Sequence, residues 1–177
     1  MDERDAVESR AARVRLLLLD CDGVLTDGRI MPVEGGEELK SFHTRDGHGL
    51  VMLHRAGLRS GIISGRRSRL VELRAADLGV SFVRQGALNK VEVFESLLAE
   101  AGIEPAHAAY VGDDVVDIPL MRRCTFAVAV ADATEDTRAA AHYVTRLPGG
   151  FGAVREVCEL ILKAQGRWDE LMKRYLA

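Results

Sequence analysis

Short apolar runs alternate with amphipathic segments along the whole chain. The run at 14–20 reads VRLLLLD, and four consecutive leucines are typical of a strand buried on both faces of a parallel sheet. Five further runs predict strands, at 58–64, 80–86, 107–114, 125–132 and 141–145. Helical spacing predicts helices between and after these runs, at 45–57, 67–79, 89–102, 115–123, 133–141 and 149–166. Strands separated by helices predict a Rossmann-like α/β domain, in which a parallel sheet is flanked by helices.

Three segments lie outside this alternation. Residues 28–43 contain two short runs around Gly35 and Gly36, which predict a small β-hairpin. The first 15 residues are charged throughout and favour a short solvated helix, and residues 152–177 are predicted to form a C-terminal helix and tail. No repeat, low-complexity stretch or change in composition divides the chain, so we expect one domain over 1–177.

The overall composition excludes several classes of partner. Of the 177 residues, 47% are hydrophobic and 29% are charged, as in ordinary soluble proteins. The net charge of −3 offers no basic surface for nucleic acid. No apolar stretch approaches the roughly 20 residues that span a bilayer, and the N-terminus lacks the apolar core of a signal peptide. We therefore expect a cytoplasmic protein that binds small molecules or protein, with neither nucleic acid nor a membrane as partner.

Cysteine and histidine spacing gives no metal signature. The chain has three cysteines, which are Cys21, Cys124 and Cys158. They are too far apart for a zinc site, and each falls in or beside an apolar run, which predicts a buried free thiol. Three histidines straddle a predicted turn, which disfavours a histidine metal site, and these are His43, His48 and His54.

Polar side chains follow the predicted strands at the ends where those strands should meet. Asp20 and Asp22 follow the first strand, Ser64 ends the second, and Lys90 lies just inside a helix. The acidic segment GDDVVD at 112–117 follows a later strand. Because parallel strands point the same way, we expect these residues to share one edge of the sheet, where such folds bind ligands.

This set of residues predicts phosphoryl chemistry. Crowded carboxylates repel one another and are costly to desolvate unless a cation joins them, and oxygen ligands suit Mg²⁺. A metal there would attract phosphate oxygens, which Ser64 and Lys90 could also hold. One aspartate could then attack phosphorus while a second gives a proton to the leaving alcohol, in a two-step hydrolysis through an aspartyl-phosphate.

The same residues resemble a known set of motifs. DCDGVLTDG resembles the D-x-D-G-x-[LV]-[TS] signature of the haloacid dehalogenase phosphatase superfamily. Ser64 matches the second motif of that superfamily, Lys90 the third, and GDDVVD the acidic fourth. All four occur in the expected order and spacing. Capping acids or a solvated lysine would explain each residue alone, but not the series.

The resemblance extends over nearly the whole chain. FHTRDGHGL, SGRRS, QGALNK, YVGDDVVDIPLM and the GGFGAVREVCELIL tail resemble the 3-deoxy-D-manno-octulosonate 8-phosphate phosphatase family, a small branch without a cap domain that acts in lipopolysaccharide sugar synthesis. The resemblance implies that Asp20 is the nucleophile, that Asp22 is the general acid and base, and that Ser64 and Lys90 hold the phosphoryl group. It implies Mg²⁺ bound by Asp20, the backbone carbonyl of Asp22, and Asp113. We interpret Asp114 and Asp117 as capping residues or as supports of that site.

A phosphorylated sugar acid is the substrate that the resemblance implies. Arg66, at a helix start beside Ser64, is the best candidate for binding its carboxylate, because arginine pairs bidentately with carboxylates. The positions implied to contact substrate are His43, Thr44, Arg45, Asp46, Gly47, Val51, Arg66 and Arg74. His43-Thr44 departs from the Asn-Val that is frequent in the family, so a nine-carbon ulosonate 9-phosphate stays open as an alternative substrate.

Two alternatives belong to other functional classes. A signalling receiver domain also places acids, a hydroxyl and a lysine around Mg²⁺. Its phosphorylated aspartate lies on a middle strand, however, and neither 58–64 nor 80–86 ends in Asp. A non-catalytic binding module is expected to lose Asp20, Asp22 or Lys90, and all three are present.

The substrate site is expected to need a lid from another subunit. Only a hairpin fits between Asp27 and Asp46, and the interval between Ser64 and Lys90 has no room for a second domain. The apolar IMPV run of the hairpin would be poorly tolerated on an exposed ribbon. Paired hairpins in a closed symmetric assembly would bury it. The resemblance implies the same homo-oligomer, a tetramer, in which the segment after Gly166 can reach a neighbour.

Overall fold

The apolar runs form the strands that the pattern predicts. The computed structural model describes residues 3–35 and 38–176. Its strands are β1 (Leu16–Leu19), β2 (Met31–Pro32), β3 (Glu38–Leu39), β4 (Arg59–Ser64), β5 (Phe82–Gln85), β6 (Ala108–Gly112), β7 (Phe126–Ala129) and β8 (Tyr143–Val144). Its α-helices are α1 (Glu3–Ala11), α2 (Thr44–Arg55), α3 (Arg69–Leu78), α4 (Lys90–Ala101), α5 (Ile118–Met121), α6 (Glu135–Ala139), α7 (Ala153–Ala164) and α8 (Trp168–Leu176).

Strand β1 lies inside a parallel sheet with the order β5-β4-β1-β6-β7-β8. Leu19 at its end lies opposite Ile62 of β4 on one side and Val111 of β6 on the other. All four leucines of β1 are fully buried, as expected of a strand covered on both faces. The chain runs outward from β1 to β5 and then returns to β6, so the strand order reverses at β1. This architecture confirms the predicted Rossmann-like α/β fold, and ligands of such folds bind where the order reverses.

The hairpin formed by β2 and β3 is short and has an apolar surface. Met31 lies opposite Leu39 in its antiparallel pair, and Ile30 and Leu39 are more than half exposed. Gly36, one of the two glycines at the predicted turn, lies outside the described residues. In the part of the chain that the structure describes, this hairpin is the only insertion between β1 and α2. That arrangement agrees with a fold that lacks a cap domain.

Both ends of the chain pack onto the domain as helices. Helix α1 is largely exposed, as expected, but Ala11 at its end and the following Val14 are buried, and the helix packs against α7. The predicted C-terminal helix ends before Gly166, whose φ of +65° suits a helix terminus. The tail that follows is itself helical and forms α8. Three terminal positions, Met1, Asp2 and Ala177, lie outside the described residues.

The three cysteines are buried and free, as predicted. Burial, with the nearby charge of Asp22, raises the pKa of Cys21 to about 12, so this thiol stays protonated at neutral pH. It therefore behaves as a small apolar side chain in the loop after β1. Within residues 3–35 and 38–176, no helix has the length and apolar character needed to cross a membrane.

Candidate active site

The carboxyl ends of three neighbouring strands bring the predicted catalytic residues together. Asp20 follows β1, Ser64 is the last residue of β4, and Asp113 follows β6. Lys90 is the first residue of α4. Five predicted residues line one hollow of about 660 Å³, and they are Asp20, Asp22, Ser64, Arg66 and Lys90. The structure therefore gathers at one edge of the sheet the residues that the strand ends predict.

The ammonium group of Lys90 lies between two carboxylates. Its Nζ lies 3.0 Å from Oδ1 of Asp20 and donates a hydrogen bond of 2.7 Å to Oδ1 of Asp117. The side chains of Lys90 and Asp20 are each 10% exposed, so solvent screens their attraction only weakly. Burial alone would lower the pKa of Lys90, but the two carboxylates outweigh burial and the pKa is raised. Lys90 is therefore a charged neighbour of Asp20 at neutral pH.

Asp117 is a buried carboxylate that supports the site. It accepts hydrogen bonds from the hydroxyl of Tyr110 at 2.8 Å and from the backbone amide of Asp113 at 3.1 Å. With Asp114 it forms a capping box around the short turn Val115–Asp117. These contacts agree with the interpretation of Asp114 and Asp117 as capping residues, and they fix the backbone at Asp113.

Three carboxylates form a group that could hold a metal ion. Oxygen atoms of Asp20, Asp113 and Asp117 lie within 4.8 Å of one another. Burial, with the nearby charges of the other acids, raises the pKa of Asp113 to about 7. Burial and Asp117 also raise the pKa of Asp20 to about 6, against the opposing effect of Lys90. Because their charged forms are disfavoured without a cation, and all donors are oxygens, this set fits a divalent ion such as Mg²⁺.

Gly23 allows the loop after β1 to pack against Asp113. This glycine has a φ of +94°, a conformation that other residues rarely adopt. A Cβ atom at this position would collide with the carboxylate of Asp113. The glycine of the D-x-D-G sequence is therefore what lets the Asp20 loop and the acidic loop after β6 approach each other.

The carboxylate of Asp22 faces a charged cluster carried mainly by the hairpin. Lys40 donates a hydrogen bond to Oδ1 of Asp22, and its Nζ lies 3.3 Å from Oε1 of Glu38. Arg66 donates a hydrogen bond of 2.7 Å to Oε2 of Glu38, and its Nε lies 3.7 Å from Oδ2 of Asp22. Glu38 and Lys40 are not among the residues predicted from the sequence. Glu38 and Lys40 are two positions apart, a spacing that places side chains on one side of an extended segment. Because β3 has only two residues, the segment is too short for this alternation to be recognised from the sequence.

Most residues implied to contact substrate lie outside this hollow in a single chain. Four of them line a small cavity between α2 and α3, and these are His43, Asp46, Gly47 and Arg74. Arg45 lines a groove along α7, Thr44 is the first residue of α2, and Val51 is half-buried on that helix. Of the described residues in the predicted substrate-contacting set, only Arg66 lines the hollow of Asp20. The role of the others as substrate contacts stays a prediction.

Asp46 has a structural role that its sequence position does not reveal. Its side chain is 2% exposed and accepts hydrogen bonds from the backbone amides of Gly152 at 3.1 Å and Arg155 at 2.7 Å. Gly152 is the N-cap of α7, so Asp46 satisfies amides that the start of this helix would leave unpaired. The partners lie 106 and 109 positions further along the chain, and no local pattern links them.

The three histidines near α2 make separate contacts. Nδ1 of His43 lies 3.9 Å from Oδ2 of Asp46, and Nε2 of His48 lies 3.1 Å from the hydroxyl oxygen of Tyr175. His54 is hydrogen-bonded inside the fold through both ring nitrogens. Among the described residues, the aspartate group is the only candidate metal cluster.

Comparison with known proteins identifies the family. A family model described as haloacid dehalogenase-like hydrolase matches residues 53–150. The chain is 49% identical over 164 residues to the 3-deoxy-D-manno-octulosonate 8-phosphate phosphatase KdsC of Escherichia coli (strain B / BL21-DE3), a match that covers 93% of this chain and 87% of that protein. The chain belongs to the 3-deoxy-D-manno-octulosonate 8-phosphate phosphatase family. As a member of this family of haloacid dehalogenase-like hydrolases, it is a phosphoric monoester hydrolase.

Solved structures of related phosphatases have the same fold. A probable yrbi family phosphatase from Pseudomonas syringae pv. phaseolica 1448a superimposes with a TM-score of 0.96 at 44% identity, over 98% of both chains. The 3-deoxy-D-manno-octulosonate 8-phosphate phosphatase of Moraxella catarrhalis, in complex with magnesium ion, phosphate ion and a KDO molecule, has a TM-score of 0.94 at 41% identity. That match covers 97% of this chain and 98% of the Moraxella chain. These relationships confirm the predicted enzyme class over the receiver-domain alternative.

Proposed function

We propose that this phosphatase hydrolyses 3-deoxy-D-manno-octulosonate 8-phosphate with Mg²⁺, through an aspartyl-phosphate intermediate. The observation that carries the proposal is the position of Asp20, whose carboxylate lies beside the Lys90 ammonium and in the same group as the Asp113 carboxylate. The Moraxella relative, solved with magnesium, phosphate and KDO, supports the same class of substrate.

Asp20, Asp113 and the backbone carbonyl of Asp22 would hold the metal. Asp117 is less suited as a ligand, because its carboxylate already accepts hydrogen bonds from Lys90 and from other groups of the fold. When bound, Mg²⁺ supplies positive charge that neutralises the carboxylates and polarises a phosphoryl oxygen. Lys90 supplies positive charge directly beside Asp20.

In the first step, a carboxylate oxygen of Asp20 attacks phosphorus. A new bond forms between that oxygen and phosphorus, and the bond between phosphorus and the sugar oxygen breaks. Asp22 gives its proton to the departing oxygen, so the sugar leaves as an alcohol. Lys90 and Ser64 hold the phosphoryl oxygens while charge builds on them.

In the second step, water hydrolyses the aspartyl-phosphate. Asp22, now ionised, accepts a proton from the attacking water, and the bond between phosphorus and Asp20 breaks. Inorganic phosphate is released, and both carboxyl groups return to their starting states. One residue thus serves as acid and then as base, which suits the position of Asp22 at the edge of the hollow that Asp20 lines.

A phosphate-release assay over a panel of substrates tests the proposal. The panel contains 3-deoxy-D-manno-octulosonate 8-phosphate, a nine-carbon ulosonate 9-phosphate and common hexose phosphates, each assayed with Mg²⁺ and with excess chelator. We expect the highest kcat/KM for the eight-carbon sugar acid and loss of activity with chelator. A higher kcat/KM for the nine-carbon substrate would identify the nine-carbon ulosonate 9-phosphate as the preferred substrate. Failure to hydrolyse any member of the panel would refute the proposed function.

We also propose a homotetramer in which the hairpins of neighbouring subunits pair and close the active sites. The exposed apolar residues of the hairpin support this assembly, and these are Ile30, Met31, Val33 and Leu39. Light scattering tests it, because a fully active monomer near 19.4 kDa would contradict the proposal. The double variant Ile30→Asp, Val33→Asp should dissociate and lose activity, whereas Leu73→Asp, at an exposed apolar position on α3, is the matched control.

A further inference from the structure

The hairpin brings Lys40 to Asp22 from outside the parallel sheet. The side chain of Lys40 is only 2% exposed. Its ammonium donates a hydrogen bond to Oδ1 of Asp22, and Oε1 of Glu38 lies 3.3 Å away. A buried ammonium is costly unless carboxylates surround it. The two acids therefore hold Lys40 in place, and Lys40 in turn fixes one oxygen of Asp22.

The second oxygen of Asp22 is held less closely. The Nε of Arg66 lies 3.7 Å from Oδ2, beyond hydrogen-bond distance. The side chain of Asp22 is 21% exposed and lines the same hollow as Asp20. One oxygen is thus anchored to the hairpin, while the other is available to a ligand in the hollow.

We propose that Lys40 is a positioning residue for Asp22, so that the hairpin sets the orientation of the proton-donating carboxylate. The inference rests on the proposed function, in which the proton of Asp22 moves to the sugar oxygen as the bond from phosphorus to that oxygen breaks. Proton transfer of this kind depends on placing the acid within hydrogen-bond reach of the leaving oxygen. In this role Lys40 affects proton transfer through Asp22 and touches neither phosphorus nor the leaving group.

Glu38 links the Lys40–Asp22 pair to Arg66, so a substitution of Lys40 alone can also affect Arg66. Its carboxylate bridges Lys40 and Arg66, and its side chain is 16% exposed. When Lys40 is removed, Arg66 still lies beside both Glu38 and Asp22. Binding of a substrate carboxylate by Arg66 could then change as well. The test therefore includes a substrate without a carboxylate.

Three phosphate esters separate these effects in the variant Lys40→Met. The first is the sugar-acid phosphate, the second is a neutral sugar phosphate with a similar alcohol leaving group, and the third is p-nitrophenyl phosphate, whose leaving group needs no proton. The ratio kcat/KM reports steps up to departure of the leaving group. We expect kcat/KM to fall about 10- to 100-fold for both sugar phosphates, which is less than the full contribution of general acid catalysis, about 10²- to 10⁴-fold, because Asp22 itself remains. For p-nitrophenyl phosphate we expect a fall of no more than about threefold.

Three further comparisons distinguish the proposed role from a simple loss of structure. Lys40→Arg keeps the charge and should restore much of the activity on both sugar phosphates. Arg13→Met removes a positive charge from an exposed side chain before β1, at the end of the sheet opposite the active site, and should leave kcat/KM for all three substrates unchanged. In an Asp22→Asn background, Lys40→Met should lower kcat/KM by less than about twofold, because residues that act through one another are not additive. Thermal unfolding of each variant verifies that it is folded.

Each remaining outcome has a defined meaning. Equal losses on all three substrates, or a full additional loss in the Asp22→Asn background, would show a general structural role and overturn the inference. A loss confined to the sugar-acid phosphate would make Lys40 part of carboxylate binding and would overturn it too. If the unchanged enzyme hydrolysed none of the esters, the proposed function would fall and this inference with it.

Discussion

Nζ of Lys90 lies 3.0 Å from Oδ1 of Asp20, and the same nitrogen donates a hydrogen bond of 2.7 Å to Asp117. Asp117 is fully buried and tied to Tyr110 and to the loop after β6, so it holds the lysine independently of Asp20. A cation fixed in advance beside the attacking carboxylate needs no reorganisation when charge develops on the phosphoryl group. Lys90 thus links the buried carboxylate of Asp117 to Asp20, the nucleophile of the proposed mechanism.

Asp20→Asn should abolish phosphate release while the protein stays folded. The amide is nearly the same size as the carboxylate but is a poor nucleophile, and loss of a nucleophile typically lowers the rate by about 10⁴-fold or more. Phosphate release and thermal unfolding measure the two effects. Asp136→Asn, at an exposed position on α6, is the matched control and should keep normal turnover. Near-normal turnover in Asp20→Asn would contradict the mechanism.

Mg²⁺ should raise the Tm more at about pH 8 than at about pH 5. The pKa values of Asp113 and Asp20 are raised to about 7 and about 6, above those of the unfolded chain. Between about pH 4 and pH 7 the metal-free folded state therefore binds more protons, so these two groups lower the free energy of unfolding as pH rises. The destabilisation is complete above about pH 7, where a divalent cation can relieve it. At lower pH, protons compete with the metal.

Thermal unfolding of Asp113→Asn checks the origin of this metal effect. With one carboxylate removed, Mg²⁺ should raise the Tm at about pH 8 much less than it does in the unchanged protein. Asp136→Asn should show the full increase, because it lies on the exposed face of α6. An equal increase in Asp113→Asn and in the unchanged protein would exclude Asp113 as a ligand.

Asp46→Ala should destabilise the fold by about 2–3 kcal/mol, because two backbone amides at the start of α7 would lose their acceptor. The kcat of the folded fraction should change little. Denaturant unfolding measures the stability, and Asp169→Ala, an exposed acid in the first turn of α8, should cost less than about 1 kcal/mol. A raised KM with unchanged stability would instead assign Asp46 to substrate binding.

The sheet and its catalytic edge were predictable because they depend on patterns that are local in the sequence. The leucine run of β1 is buried on both sides, so every position is apolar, and Asp20 follows directly. In a parallel sheet the strand direction then places Ser64 and Asp113 at the same edge, whatever the details of packing. Lys90 was predictable from its place in the series of motifs, although a lone lysine at a helix start carries no such signal.

Contacts between distant segments were not predictable from these patterns. Lys40 reaches Asp22 from the position directly after β3, and this strand of two residues is too short to show alternation. Asp46 caps a helix more than a hundred positions away, and its acidic side chain looks equally suited to binding a ligand. These two roles depend on how the hairpin approaches the loop after β1 and on how α7 packs against α2. Neither arrangement shows in the local pattern of apolar and polar residues.

Arg66→Met should selectively weaken binding of the sugar-acid phosphate. Without a ligand, the guanidinium donates a hydrogen bond of 2.7 Å to Glu38 at the edge of the hollow. A substrate carboxylate would take over this bond, and a charge-assisted hydrogen bond contributes about 1.5–3 kcal/mol, or about 10- to 150-fold in affinity. The existing bond to Glu38 offsets part of that gain. We therefore expect the KM for the sugar acid to rise about 10-fold or more, and the KM for a neutral sugar phosphate by less than about threefold.

Arg69→Met and Arg74→Met complete this comparison. Arg69 is exposed at the start of α3 and should give normal KM values for both substrates. Arg74 donates a hydrogen bond of 2.7 Å to Asp77 and lines the separate cavity between α2 and α3. If it binds the carboxylate of a substrate held by a neighbouring subunit, Arg74→Met should also raise the KM for the sugar acid alone, and only in the assembled protein. Equal increases in KM for the acidic and the neutral substrate would reject carboxylate recognition by either arginine.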